Sequence, residues 1–149
     1  MTSDHIKQLY GLFSSRVGAH LDLGLKLVDI EGDTVRLLLP FQQKHANALE
    51  NGAIHTSALA TAIDSACGFA VMLRLKEPTA IATVNLRIDH IRQPESGQNV
   101  TVEAQCYQQS GDFAYVRARA MSTNTLFTYS SAISIFKVGT PGPALNSAL

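Results

Sequence analysis

The sequence predicts an α+β domain in which an antiparallel sheet of five or six strands wraps around one long central helix. Three observations lead there. Only one stretch, about His55–Leu75, carries a long helical stripe, with Leu59, Ile63, Ala66, Ala70 and Leu73 on one face. Four β-like runs follow it without an intervening helix, which argues for an antiparallel sheet rather than parallel βαβ units. The helix is also crowded with small residues (Ala58, Ala60, Ala62, Ser65, Ala66, Gly68, Ala70), so neighbouring backbone can approach it closely and enclose most of its sides.

Thr2-Ser3-Asp4 are good capping residues, and Ile6, Leu9, Tyr10 and Phe13 follow at helical spacing, so a short amphipathic helix is expected from about Ser3 to Ser14, within an N-terminal helical region 1–20. Leu23–Ile30 and Thr34–Pro40 read as strands joined by the hairpin turn Glu31-Gly32-Asp33. Gln42–Asn51 is polar and shows no period. After the long helix, strands are expected at Ala80–Ile91, Asn99–Gln109, Ala114–Ser122 and Leu126–Val138. Turn residues separate them at Pro94–Gly97, Ser110-Gly111-Asp112 and Ser122-Thr123-Asn124. The Gly/Pro-containing end, 139–149, reads as a flexible tail. No repeat divides the chain, and its 149 residues suit one domain, 1–149.

Composition narrows the function. Twelve basic and twelve acidic side chains cancel, and no basic face is visible, so nucleic acid is not an expected partner. The opening residues lack the pattern of a secretory signal, and no uninterrupted apolar run approaches the roughly 20 residues that cross a bilayer. A soluble, cytoplasmic protein is the expectation. Cys67 and Cys106 have no CxxC or metal-ligand spacing, and the histidines lack an H-x-x-x-H pattern, so they read as two small buried hydrophobes and no metal site is expected.

The chemistry concentrates between His45 and Asp64. The run His45-Ala46-Asn47-Ala48-Leu49-Glu50-Asn51-Gly52-Ala53-Ile54-His55 leads into Thr56-Ser57, and Asp64 stands nine residues after His55. A carboxylate inside an otherwise small and apolar helix is costly to bury unless it is hydrogen-bonded or has a chemical task; a structural carboxylate satisfied by backbone or a partner subunit is the competing reading. The first N–H groups of a helix are unpaired and carry the positive end of its dipole, a good place for a developing oxyanion. His55 reads best as a helix-boundary residue bonded to backbone. Ser57 lies in no G-x-S-x-G elbow, and no Ser-His-Asp order is apparent, so a covalent serine mechanism is not expected.

With these residues in view, the sequence resembles the PaaI-like branch of hotdog-fold acyl-CoA thioesterases, which carry an Asn in the loop, G-x-x-H-G-G at the helix start and an acid nine residues after the His. Asn47, Gly52, His55 and Asp64 stand at those places. The resemblance continues through Ala80–Asp89 and Ile91-Arg92-Gln93-Pro94 to Gly97, covering roughly Leu25 to Lys137. Two departures stand out: Thr56-Ser57 replaces Gly-Gly, and the Arg expected before Pro94 is Gln93, with Arg92 one place earlier.

The resemblance implies hydrolysis of an acyl-CoA thioester to free acid and CoA. The coenzyme A moiety enters with the substrate, and no separate cofactor is required. Asp64 would be general base or nucleophile. Asn47 and the Thr56 N–H would polarise the carbonyl, and Thr83 would supply a hydroxyl that positions water. Gly52, His55 and Ser57 would line the substrate site, and Arg87 and Arg92 would meet CoA phosphates at the rim. It also implies a homodimer or a dimer-of-dimers homotetramer, with Asp64 facing the Asn47 and Thr56 of another subunit. A non-catalytic acyl-CoA-binding module is the alternative that the Thr56-Ser57 replacement favours. A hydratase on the same fold would need a His–acid pair in a different loop pattern, which is not found.

Overall fold

The computed structural model describes residues 3–47, 52–75 and 79–142. The elements run α1 (Ser3–Arg16), α2 (Gly18–Leu23), β1 (Lys26–Glu31), β2 (Thr34–Leu39), a 3-10 turn (Gln43–His45), α3 (Thr56–Arg74), β3 (Ile81–His90), β4 (Val100–Ser110), β5 (Phe113–Ser122) and β6 (Thr128–Val138). All strand pairs are antiparallel, in one six-stranded sheet ordered β1-β2-β4-β5-β6-β3. The predicted sheet around a long helix is therefore present, with six strands.

The sheet turns one face to α3. Val35, Leu37 and Leu39 of β2, Val100, Val102, Ala104 and Cys106 of β4, and Ala114, Val116, Ala118 and Ala120 of β5 alternate inward. They pack on Leu59, Ile63, Ala66, Cys67, Ala70 and Val71 of α3. Each fully buried aliphatic of this size contributes roughly 1.5–3 kcal/mol. Ala62, Ala66 and Ala70 of the helix are all buried, which is how its small residues bring the sheet close. Both cysteines are free and buried, and burial pushes the Cys67 thiol up to about 12.

Several boundaries differ from the sequence expectation. The N-terminal region holds two helices, and the second, α2, ends on Leu23, the residue at which the first strand was expected to begin. Gly24, at φ 65°, closes α2 by donating its N–H back into the helix, and a Cβ there would meet Gln42 Nε2 at 3.1 Å. The first strand therefore begins at Lys26, not Leu23. The last strand begins at Thr128 rather than Leu126, because Leu126 sits at φ 57° in a turn closed by Ser122 N donating to Phe127 O at 2.8 Å. Among its neighbours α3 is enclosed on the sheet side, but Thr56, Ser57, Ala60, Thr61 and Asp64 are exposed or only half-buried, so the expected enclosure on most sides is incomplete. In length and composition α3 could cross a membrane, contrary to the sequence expectation, yet most of it is buried within the fold. Part of the polar stretch, 48–51, and part of the tail, 143–149, lie outside the described residues.

Strand β3 forms one margin of the sheet and, among the described residues, pairs with β6 alone. A bulge falls between Thr83 and Asn85, leaving Val84 out of register. A bulge reverses the side-chain parity of a strand. Thr83 lies opposite Phe136 and Leu86 opposite Ser134, both inward positions on β6, so Thr83 and Leu86 face α3 although three residues separate them.

Candidate active site

Asp64 lies on the open side of α3, half-buried rather than enclosed as its helix context suggested. The bulged β3 brings Thr83 against it, and the Thr83 hydroxyl donates to Asp64 Oδ1 at 2.8 Å. That bond fixes one carboxylate oxygen. Among the described residues Oδ2 has no hydrogen-bond partner.

The start of α3 is built by a clasp. Ala46 and Ile54 form an antiparallel bridge, His55 N donates to His45 O at 2.8 Å, and Asn47 N donates to Ala53 O at 2.8 Å. The loop therefore returns on itself and holds Asn47 near the helix entry. Gly52 takes φ 69° inside this loop, and a Cβ there would come within 3.1 Å of Ser96 Oγ, so a glycine suits it doubly. His55 is the N-cap: its Nδ1 accepts from Ser57 N at 3.1 Å, and the Ser57 hydroxyl lies 2.8 Å from the same nitrogen. An accepting Nδ1 leaves the ring proton on Nε2. The cap uses the Ser57 amide and leaves the Thr56 N–H, which as a first-turn donor has no carbonyl to meet within the helix.

Two clefts flank this helix end. One, about 450 Å³, is lined by Ala19, Asp22, Leu23, Lys44, His45, Ala46, His55, Ser57, Ala58 and Thr61. The other, about 260 Å³, is lined by Thr56, Leu59, His90, Ile91, Arg92, Gln93 and Pro94. Arg92 thus stands beside Thr56, its guanidinium 3.0 Å from Glu95 and stacked over Phe127 at 4.7 Å. Arg87 lies apart on β3, exposed and paired with Asp89 at 3.1 Å.

The structure therefore brings together two groups rather than one. Asp64 and Thr83 form the first; Asn47, Gly52, His55, Thr56, Ser57 and Arg92 surround the second. Thr56 and Asp64 stand eight positions apart on the helix, about 12 Å along the axis. One thioester carbonyl cannot sit against the Thr56 amide and the Asp64 carboxylate of the same chain.

Sequence reasoning missed α2 and what it carries. Asp22 takes Lys44 Nζ at 2.5 Å and His45 Nε2 at 2.8 Å, which ties α2 to the clasp, and these partners, Lys44 first, hold its carboxyl below the usual carboxylate range. His20 is 2% exposed and packs edge-on against Phe13. Burial pushes its imidazole down, and the Asp64 carboxylate pulls the other way, so α2 lies within the field of Asp64. Little in Gly18–Leu23 signals a helix, since Gly opens it and six residues show no stripe. Among the described residues no three His, Cys, Asp or Glu side chains gather as metal ligands would.

Comparison with known proteins adds three results. The family model of the thioesterase superfamily matches residues 51–126, just over half the chain. A Halobacterium salinarum protein, assigned as an esterase by inference, is 34% identical over 73 residues, which make up 47% of this chain and 48% of that relative. The matched stretch thus spans about half the length of the curated relative. Among solved structures, the E. coli PaaI protein from the phenylacetic acid degradation operon superposes with a TM-score of 0.81 at 14% identity, over 97% of this chain and 99% of that one. Mouse thioesterase superfamily member 2 superposes with a TM-score of 0.77 at 20% identity, over 94% and 100%. At such identities these likenesses establish the fold, which is the hotdog fold.

Proposed function

Because the chain belongs to the thioesterase superfamily, we propose that it hydrolyses an acyl-CoA thioester, with Asp64 as the residue that activates water or attacks directly. The observation that carries this reading is the 2.8 Å hydrogen bond from the Thr83 hydroxyl to Asp64 Oδ1 on the open side of the central helix. A carboxylate with one oxygen fixed and the other unclaimed among the described residues is placed to accept a proton.

In the general-base form, Asp64 takes a proton from water as the oxygen adds to the thioester carbon. The carbonyl oxygen becomes an oxyanion held by the Thr56 N–H and the Asn47 side chain at the positive end of α3. Collapse breaks the C–S bond, and the departing thiolate takes the proton from Asp64. The products are a free acid and CoA. Since Thr56 and Asp64 of one chain are too far apart, the working site joins the clasp of one subunit to the Asp64–Thr83 pair of another. The exposed β3 margin, with Val84 58% and Ile91 61% exposed, is the surface proposed to bring them together.

One observation favours a second reading, a non-catalytic acyl-CoA-binding module. Thr56 and Ser57 stand at the helix entry where the family carries Gly-Gly, and the Ser57 hydroxyl lies 2.8 Å from His55 Nδ1 there. Thiol release from a panel of acyl-CoAs separates the two. The hydrolase reading expects turnover that falls by about 10²–10⁴ in Asp64→Asn, with the folded state and substrate affinity little changed. Saturable binding of acyl-CoA with no thiol release from the unaltered protein would establish the binding module instead.

A further inference from the structure

The smaller cleft at the start of α3 holds a polar side chain that none of the chemistry above uses. Thr56 and Leu59 wall it on one side, and His90, Ile91 and Arg92 on the other. At about 260 Å³ it is smaller than the roughly 300–1,000 Å³ of pockets that enclose a small ligand whole, so it suits one part of a larger ligand. His90 stands opposite Ser130 in the pairing of β3 with β6, and Ser130 is 0% exposed on the inward face of β6. His90 therefore turns toward α3, as Thr83 does. Its Nδ1 lies 2.9 Å from Ser130 Oγ. Among the described residues that nitrogen is the one partner of the Ser130 hydroxyl. A fully buried hydroxyl proton is costly to leave unmet, so Ser130 donates and Nδ1 accepts. The neutral ring then carries its proton on Nε2, and Nε2 has no hydrogen-bond partner among the described residues. Arg92, the other strong donor on the cleft, is committed to Glu95 at 3.0 Å.

We propose that His90 is a further catalytic residue: its Nε2–H donates to the thioester carbonyl oxygen in this cleft, beside the Thr56 N–H, and supports the oxyanion as it forms. This role rests on the hydrolase reading for its substrate. The Ser130 bond fixes both the ring and its tautomer, which is what a preorganised donor requires. A solvated histidine at a strand end would need no such anchor. Leu59 and Ile91 give the cleft apolar walls, so few polar groups compete for the carbonyl. His90 is exposed in the single chain, and pairing of a second copy along β3 would cover it and exclude water from Nε2. His90 exchanges no proton in the reaction; the bonds made and broken are those given above.

Isotope-edited infrared spectroscopy on the full chain reads the contact directly. Benzoyl-CoA and hexanoyl-CoA, isotope-labelled at the thioester carbonyl carbon, are bound to Asp64→Asn, in which turnover is slowed. The bound carbonyl stretch is expected to lie below its value in free solution. Adding His90→Phe should move it back toward that value, and adding His90→Gln, which keeps an N–H donor, should retain most of the lowering. With Asp64 intact, His90→Phe should lower kcat for thiol release by about 10- to 100-fold while KM changes by less than about threefold, and His90→Gln should recover part of the loss. A merely structural His90 predicts a lower thermal midpoint with the carbonyl stretch unmoved. A stretch that is the same with and without His90, an equal loss of kcat in the Gln and Phe variants, or a change confined to KM would overturn the role of His90 and leave the hydrolase reading standing. If the unaltered protein releases no thiol, the hydrolase reading fails, and a bound carbonyl stretch that still depends on His90 supports the contact by itself. Absence of saturable binding of both thioesters would overturn the two together.

Discussion

Asp64 and Thr83 meet because of one extra residue in β3. Thr83→Val keeps the shape of the side chain and removes the hydroxyl that orients the carboxylate. A hydrogen bond to a charged group contributes roughly 1.5–3 kcal/mol, so turnover is expected to fall about 10- to 100-fold in a thiol-release assay. Combined with Asp64→Asn, the change should cost little more than Asp64→Asn alone, because both remove the same unit. Full additivity would show that Thr83 acts elsewhere. Asp64 stood out in the sequence because few ionisable groups interrupt an apolar helix. Its half-exposure was hidden, since the open side of α3 is defined by where the sheet stops and not by the helix's own residues. Thr83 carried no signal of its own as a β-former; only its place in the family pattern marked it.

The clasp and α2 form the next level, and their coupling is electrostatic. Asp22 is held below its ordinary titration range by Lys44 and His45. A carboxylate depressed in the folded state adds stability that is complete above its unfolded pKa, near ~4, and is lost as pH falls through the folded value. Acidification below about pH 4 should therefore loosen the clasp around Asn47 and His55. Asp22→Asn should remove that portion of the acid sensitivity, read as a shallower fall of thermal midpoint with pH in the variant. Identical pH profiles would show the contact to be energetically silent, as exposed pairs often are. The strands that alternate cleanly, β2, β4 and β5, were legible nearly to the residue. The ends of β1 and β6 were not, because Gly24 and Leu126 take left-handed backbone that turns the chain before its apolar pattern changes.

For the whole molecule the sheet order matters most. β1 and β3 are the two margins, and they are finished differently. β1 is irregular and carries Lys26, whereas β3 presents Val84 and leads into Ile91, both largely exposed. Pairing of two copies through β3 is the assembly proposed here. Val84→Lys should shift light scattering toward the monomer and reduce turnover in proportion, with the circular dichroism of each chain preserved. A monomer that keeps full turnover would refute the shared site. That five or six strands wrap one helix could be read from the order of elements, but the order of strands in the sheet could not, since β3 follows α3 directly in the chain and yet lies beside the last strand.

That placement has a consequence during synthesis. β3 emerges from the ribosome long before β6, its one neighbour in the sheet among the described residues. Until β6 has been made, β3 has no strand to dock on, and Thr83 has no fixed route to Asp64. The nascent chain must hold an apolar helix half-wrapped while β4 and β5 are added, a late, long-range closure of the kind that slows folding and exposes sticky surface. Chains halted after β5 should accordingly be aggregation-prone and lack the Asp64–Thr83 contact.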